Sequence, residues 1–340
     1  MIRLYGMSKG NSSWARVTAG WREGLQDLGV LAGVKYFDVQ QDEEPDGYDA
    51  PIAVCIGSHG YWPCMRRDGR HRAEFAVLAP NSTWLPRAAL DTADDLSDCG
   101  GGLLPPSGWG YDIIRRAGYR GWMKVVPHGV SRELLRAPRR ARSPRDPFHV
   151  VHFTSSAFER KATAQLVAAW KSVHHKMPEK STLHVVSDYY SDLEDAVYGI
   201  VEDNRLALGL PEFHDFVARK SVVCQPSRSE GFGLVPLEAA AVGVPSIITY
   251  ATGHLEYADQ LWNTSVHVAV QPYGPIDDGP DAQAPVVLAE DIAAALVEAN
   301  EKIDHLTERA FFEAEVVQSA NRWSRVIMVS GLIDYCRGLL

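Results

Sequence analysis

Residues 227–249 read SRSEGFGLVPLEAAAVGVPSIIT, an apolar run with two carboxylates in it, Glu230 and Glu238, set around Gly231-Phe232-Gly233. An ionised carboxylate taken out of water needs a partner, so a buried strand-turn-helix would be cheaper without them. Upstream, SVVCQPS reads as a buried strand. LEAAAVG reads as a helix closed by Gly243, and the glycine loop joins the two. In a parallel sheet, ligands gather beyond the carboxyl ends of the strands. Glycines there let the backbone come close, and the start of the next helix offers unpaired N–H groups that suit phosphate. Carboxylates only accept hydrogen bonds, so two of them beside a phosphate site match sugar hydroxyls. A nucleotide sugar supplies a diphosphate, a ribose and a hexose. The plain alternative places Glu238 on the wet face of its helix and Glu230 in a surface turn.

Away from this segment the chain alternates strand and helix, which predicts an α/β protein with parallel sheets. IRLYGM, VKYFDV, PIAVCIGS and EFAVLAP read as strands of the first half. SSWARVTAGWREGLQDLGV is a helix with Trp14, Val17, Trp21, Leu25 and Leu28 at helical spacing. SGWGYDIIRRAGY is a second helix, followed by the strand WMKVVP. The segment 128–147 is rich in Pro and Arg and reads as a linker. A second α/β series starts at FHVVHFTS and runs through TAQLVAAWKSV, STLHVVSDYY, SVVCQPS, VPLEAAAVG and PSIITY. Residues 272–285, PYGPIDDGPDAQAP, read as a mobile polar loop. EDIAAALVEANEKI and RWSRVIMVSGLIDYCRGLL read as two separate late helices. The expected domains are 1–127, 148–320 and a terminal helix at 321–340 that returns to the first.

Composition excludes several classes. With 46% hydrophobic and 23% charged residues in 340, the chain suits a globular protein of two domains. No apolar run reaches the length of a membrane span, and the N-terminus lacks the apolar core of a signal peptide. The five cysteines are scattered with no C-x-x-C pair, which points away from a disulfide framework or zinc site and toward a cytoplasmic location. Charge is uneven. Residues 1–147 carry 20 Lys and Arg against 17 Asp and Glu, and the rest carry 14 against 26. The basic excess gathers at RRDGRHR (66–72) and RAPRRARSPR (136–145). These clusters are either a solvated surface with an Arg-rich linker, or a face that meets a polyanion.

The segment 225-QPSRSEGFGLVPLEAAAVGVP-245 resembles the donor-site signature of retaining GT-B glycosyltransferases, above all glycosyltransferase family 4. There P-S-x-x-E-G-F-G-L leads to a second glutamate and then G-x-P. PSGWGYDIIRRAGY (106–119), KVVPHGV (124–130), FHVVHFTSSAFERKATAQLVAAW (148–170) and RWS (322–324) fall in the family's order. The resemblance is good over most of 106–260 and one of layout only before that. It implies a GT-B fold: two Rossmann-like domains facing a central cleft, with the terminal helix crossing back. It also implies closure of the donor and acceptor sides on each other.

Carried over, Glu238 would bind the donor ribose and Glu230 the hydroxyls of the transferred sugar. Gly231 and Phe232 would also bind the donor, and Gly233, Leu234 and Val235 would bring their amides to the diphosphate. Lys161 and Arg160 would neutralise the diphosphate as it leaves, where fixed cations act most strongly. Arg160 departs from the family's spacing, whose arginine position falls in the run 154–156. Gly10 and Asn11 resemble the family's glycine-rich loop by the donor phosphates. His59 stands where the family often contacts the transferred sugar, and Ser187 and Asp188 stand by the nucleotide base. His128 lines the hinge as a linker residue. The co-substrate is a UDP- or GDP-sugar, and no cofactor or metal is needed. The expected acceptor is a saccharide or small-molecule hydroxyl. A lipid head group is another candidate, although the basic clusters carry few flanking apolar residues beyond Tyr61 and Trp62. DNA with hydroxymethylated pyrimidines is a third, because Trp62, His71 and Trp84 lie near the basic residues. A binding protein without turnover is the remaining possibility.

Overall fold

The computed structural model describes residues 1–7, 13–37, 50–63, 65, 71–130, 146–154, 157–187, 192–203 and 210–337. The chain divides into two units, Met1–Ser131 with Ala320–Leu340, and Arg132–Ser319. Each is built on its own six-stranded parallel sheet.

In the first unit, β1 (Ile2–Gly6), β2 (Leu31–Tyr36), β3 (Ile52–Ile56), β4 (Ala73–Val77), β5 (Gly102–Leu103) and β6 (Trp122–Met123) lie in the order β2-β1-β3-β4-β5-β6. Helices α1 (Ser13–Asp27), α2 (Arg87–Asp98) and α3 (Gly108–Arg116) connect them. β3 and β4 are buried along their whole length, as expected of strands covered on both faces. The strand expected at VKYFDV is shifted: it starts at Leu31, because Ile2 pairs with Leu31 and the register then runs to Tyr36. Helix α2 escaped the sequence reading. Its buried face, Ala89, Leu90, Ala93 and Leu96, is small, and four of its twelve residues are aspartates. Helix α3 is capped by Ser107, whose Oγ accepts the Gly110 N–H at 3.1 Å. The core holds Tyr5, Trp62, Met65, Leu103, Ile114 and Tyr119.

In the second unit, β7 (His149–Phe153), β8 (Thr182–Val186), β9 (Ile200–Asp203), β10 (Val222–Gln225), β11 (Ser246–Thr249) and β12 (Ser265–Val268) lie in the order β12-β11-β10-β7-β8-β9. This is the doubly wound order whose direction reverses between the first and fourth strands. Helices α4 (Thr163–Val173), α5 (Leu210–Ala218) and α6 (Leu234–Ala241) belong to this unit, and α7 (Ala289–Arg337) ends the chain. Phe148, Trp170, Leu183, Val222, Ile247, Ile292 and Leu296 pack into one core.

Two expectations are corrected here. Residues 272–285 do not form an unstructured loop: β13 (Gln271–Pro275) pairs antiparallel with β14 (Gln283–Val286). The carbonyls of Gly274, Pro275 and Pro285 accept hydrogen bonds from a buried arginine, Arg228, which no local composition reveals. The two late helices are one, because the backbone stays helical from Ala289 to Arg337 without a break. Among the described residues no helix is long and apolar enough to cross a membrane.

Candidate functional site

The reversal of strand order in the second sheet falls between β7 and β10, which pair through Val222↔Val150 and Val223↔Val151. A crevice opens at such a point because the two connections leave in opposite directions. The loop after β7 carries Glu159, Arg160 and Lys161. The loop after β10 carries Ser227 to Gly233. Their charged residues meet.

Glu230 is 7% exposed. One carboxylate oxygen takes a hydrogen bond and ion pair from Lys161 Nζ. The other, Oε2, accepts from Arg160 Nη1 at 3.2 Å, and the same nitrogen donates to the Ser229 carbonyl at 2.9 Å. Burial alone would push the Glu230 carboxyl upward, but Lys161 and Arg160 outweigh it and hold it well below the usual carboxylate range. Glu230 is therefore an anion, buried and paired. The surface-turn alternative for it is excluded, and so is the wet-face alternative for Glu238, which is 5% exposed on an almost wholly buried α6.

Gly233 precedes α6 with φ of +84°, a left-handed conformation natural to glycine. A side chain there has no room: a Cβ would lie 2.5 Å from His254 Cδ2, 2.6 Å from its Nε2 and 2.9 Å from the Tyr257 hydroxyl. That hydroxyl donates to the Gly233 carbonyl at 2.5 Å, and the Tyr257 ring meets Phe232 edge-on at 5.4 Å. Burial, then the charges of Glu230 and Glu238, push the Tyr257 phenol far up, so it stays a donor. Gly231, Phe232 and Leu234 are buried, while Gly233 and Val235, beside the helix start, remain partly open. His254 is pushed down to about 4, chiefly by burial, so it is neutral near pH 7. Its Nδ1 lies 3.2 Å from the Thr249 carbonyl, which only accepts, so the proton sits on Nδ1.

Below this layer, His152 is wholly buried, with Nδ1 2.9 Å from the Cys224 carbonyl and Nε2 3.0 Å from Thr163 Oγ1. Thr163 begins α4 directly after Lys161 and Ala162, so this bond ties the basic loop to β7. Burial pushes His152 down to about 4. At the side, Arg228 donates to Glu159 Oε1 at 2.6 Å, and its backbone N–H donates to the Arg160 carbonyl at 2.8 Å.

Residues 148–273 match the family model described as glycosyl transferases group 1. The whole chain superposes on solved structures of that architecture. Sucrose-phosphate synthase from Thermosynechococcus elongatus matches with a TM-score of 0.68 at 13% identity, over 100% of this chain and 99% of that one. The chain has the GT-B fold, and its residues 148–273 are similar to the group 1 glycosyl transferases. WaaG, a glycosyltransferase of lipopolysaccharide biosynthesis, gives 0.63 at 12% identity over 96% of this GT-B chain and 99% of its own. Anabaena HepE, in complex with UDP and glucose, gives 0.63 at 14% over 98% and 99%. No curated protein matches the chain at the level of sequence.

The structure thus brings Arg160, Lys161 and Glu230 into contact in the GT-B chain's second unit, with Glu238 and the Gly231–Val235 stretch on the adjoining turn and helix. Ser187 is buried at the end of β8, where its N–H donates to the Asp203 carbonyl at 3.1 Å. Asp188 lies outside the described residues, as do Gly10 and Asn11. His59 follows β3 in the first unit, at that sheet's own reversal point between β1 and β3, with its ring edge-on to Trp62 at 6.3 Å.

The aromatic part of the expected nucleic-acid surface is corrected. Trp62 is fully buried and donates from Nε1 to the Gly57 carbonyl at 3.4 Å, so it is a core residue. His71 is bonded inward, with Nδ1 2.8 Å from the Ala50 carbonyl and Nε2 3.0 Å from the Tyr5 hydroxyl. Basic residues 66–70 and 136–145 lie outside the described residues.

Thr252, His254, Tyr257 and Arg228 escaped the sequence reading. Only Arg228 stood inside the quoted signature. The other three come from the 3-10 turn after β11 (Thr252–Glu256) and its end.

Proposed function

We propose that this GT-B chain is a retaining glycosyltransferase that uses a UDP- or GDP-sugar, without a metal, and transfers the sugar to a hydroxyl of a saccharide or small molecule. The observation that carries the reading is the pairing of buried Glu230 with the half-buried cations Arg160 and Lys161 at the strand-order reversal of the second sheet. A lone anion there would be costly, and a structural ion pair would not need an open glycine loop and helix start beside it. HepE, a neighbour in fold, holds UDP and glucose, which favours a uridine donor here.

In this reading Glu230 receives hydroxyls of the transferred sugar and Glu238 those of the ribose. The amides of Gly233, Leu234 and Val235 face the diphosphate. Lys161 and Arg160 sit between the sugar carboxylate and the leaving group. As the bond from the anomeric carbon to phosphate breaks, charge grows on the diphosphate, and the two cations stabilise it most at that moment. The acceptor hydroxyl attacks the same face and its proton passes to the departing phosphate oxygen, so configuration is retained and no protein nucleophile is required. Within the second unit, Ser187 borders the base.

DNA is a weaker acceptor reading than a saccharide, because Trp62 is unavailable for stacking on a base. The test is release of nucleoside diphosphate from a panel of UDP-, GDP- and ADP-sugars, with and without chelator. Release from one donor, unchanged by chelator, is expected. No release from any of them would sink the reading. Release that needs hydroxymethylated DNA would move the acceptor to nucleic acid.

A further inference from the structure

Among the described residues, Ala162, Lys180, Asp192, Thr252 and Asp281 have positive φ without being glycine. Lys180, Asp192 and Asp281 are exposed, where a turn tolerates such a residue. Ala162 and Thr252 are buried, at 0% and 2% exposure, and both border the same ion pair. Ala162 follows Lys161. Thr252, at φ of +54°, accepts the N–H of Glu230 on its Oγ1 at 3.1 Å. A left-handed backbone is unfavourable for any L residue and most so for a β-branched one. Such conformations persist only where the surroundings impose them, and they gather at functional sites.

The surroundings are visible. The Glu230 carbonyl accepts from the Gly253 N–H at 2.8 Å, so the two peptide groups of Glu230 are gripped by consecutive residues of one turn. Gly253 has no space for a side chain, since a Cβ would lie 2.5 Å from the Gly231 carbonyl carbon. A glycine at 252 would relax the backbone but leave the Glu230 N–H buried with no acceptor from this turn. Among residues that put an oxygen on Cβ, only serine shares the geometry of threonine.

We propose that Thr252 is a positioning residue for the donor sugar: its left-handed backbone turns Oγ1 onto the Glu230 N–H and fixes the carboxylate that receives the sugar hydroxyls. This rests on the reading of Glu230 as the sugar carboxylate. Thr252 touches no reacting atom. It acts through Glu230, so its loss affects the sugar end of the donor and spares the nucleotide end.

The experiment compares wild type, Thr252→Val, Thr252→Gly and Thr252→Ser. It measures UDP and GDP affinity by calorimetry and turnover of the nucleotide sugar the wild type uses best. Thr252→Val keeps the shape and removes the acceptor. A buried N–H left unpaired corresponds to a loss of roughly 10- to 100-fold in kcat if the aim of Glu230 is what suffers. Nucleoside diphosphate affinity should stay within about 2-fold of wild type, since the pyrophosphate contacts are untouched. Thr252→Gly, which folds without the left-handed strain, should show the same split, and Thr252→Ser should restore kcat. Wild-type kcat in Thr252→Val and Thr252→Gly would overturn the proposal. So would a parallel loss of turnover and nucleotide affinity, or a Thr252→Ser variant as impaired as Thr252→Val. A wild type that binds UDP or GDP yet turns over no nucleotide sugar overturns the sugar role of Glu230 itself, and that outcome is distinct because no variant is needed to see it.

Discussion

The guanidinium of Arg228 meets the carboxylate of Glu159 at 2.6 Å, and through this pair the β13–β14 hairpin is bound to the loops that follow β7 and β10. Arg228 also donates to the carbonyls of Gly274, Pro275 and Pro285, at 3.2, 2.7 and 3.1 Å. Glu159 Oε2 accepts the Asp277 N–H at 2.9 Å. Arg228 is 6% exposed and donates from all three of its guanidinium nitrogens. Replacing it with Met keeps apolar bulk but strands three carbonyls and one carboxylate. Arg228→Met should lower stability by about 2–4 kcal/mol, read as a drop in the denaturant midpoint. Glu159→Gln should cost about 1 kcal/mol or less, since the Glu159 side chain is 47% exposed and the amide oxygen still accepts. Equal costs would show that the charge, rather than the carbonyl set, holds the hairpin.

Glu230 offers the direct test of the site. Glu230→Gln keeps size and one acceptor oxygen but removes the carboxylate charge that Lys161 and Arg160 share. Turnover of the nucleotide sugar should fall by roughly 10²-fold or more, as expected when an interaction strongest in the transition state is removed. Nucleoside diphosphate should bind at least as tightly as before, because the charge of Glu230 no longer offsets that of the two cations. Steady-state kinetics and product calorimetry together check this. Undiminished turnover would remove Glu230 from the chemistry, and lost product binding would mean that Lys161 needs Glu230 to hold its place.

Acid should weaken the second unit in two stages. His152 and His254 are both pushed down to about 4 by burial, from an ordinary value near 6.5. Between those values the unfolded chain binds protons that the folded chain refuses, so stability is full above about pH 6.5 and falls on acidification toward 4. Each histidine contributes on the order of 1–3 kcal/mol to that fall. Glu230 acts lower. Its folded pKa is depressed by Lys161 and Arg160, so its contribution is present above the unfolded carboxyl value and is lost only as pH drops below it. Urea midpoints at pH 7, 5.5 and 4.5 measure the first stage, and His254→Asn should flatten part of it. An unchanged midpoint from pH 7 to 4.5 would contradict the neutral, buried state of both rings.

What the sequence could show depended on distance along the chain. Glu230, the glycine turn and Glu238 belong to one continuous segment, and Arg160 and Lys161 came only from the family resemblance of the segment 148–170. The alternation of strands and helices gave two parallel sheets for the same reason, since each element carries its own period. Thr252 reaches Glu230 across 22 residues, and Arg228 reaches Pro285 across 57. No local pattern announces such bonds, and a Pro-, Gly- and Asp-rich stretch reads as loop until its carbonyls are seen to have a donor. Trp62 misled in the opposite way, because a tryptophan beside arginines looks like surface, and only the packing of β3, β4 and α2 encloses it.

Gly233 gives the sharpest steric prediction. Its φ of +84° disfavours any side chain, and a methyl group would meet the His254 ring and the Tyr257 hydroxyl. The His254 ring is buried at 0% exposure and bonded through Nδ1 to Thr249, so it has little freedom to move aside. Gly233→Ala should therefore cost about 2–4 kcal/mol, from overpacking and the left-handed backbone together. The helix start of α6 should shift as well, weakening nucleoside diphosphate binding. The two causes separate in a double-mutant cycle with His254→Ala. If the clash dominates, the cost of Gly233→Ala shrinks by more than about 1 kcal/mol once the ring is gone. If the backbone dominates, the two costs add, and Gly233→Asn should then be milder than Gly233→Ala in the His254→Ala background, because asparagine tolerates the left-handed region better. Thermal unfolding of the single and double variants decides between them.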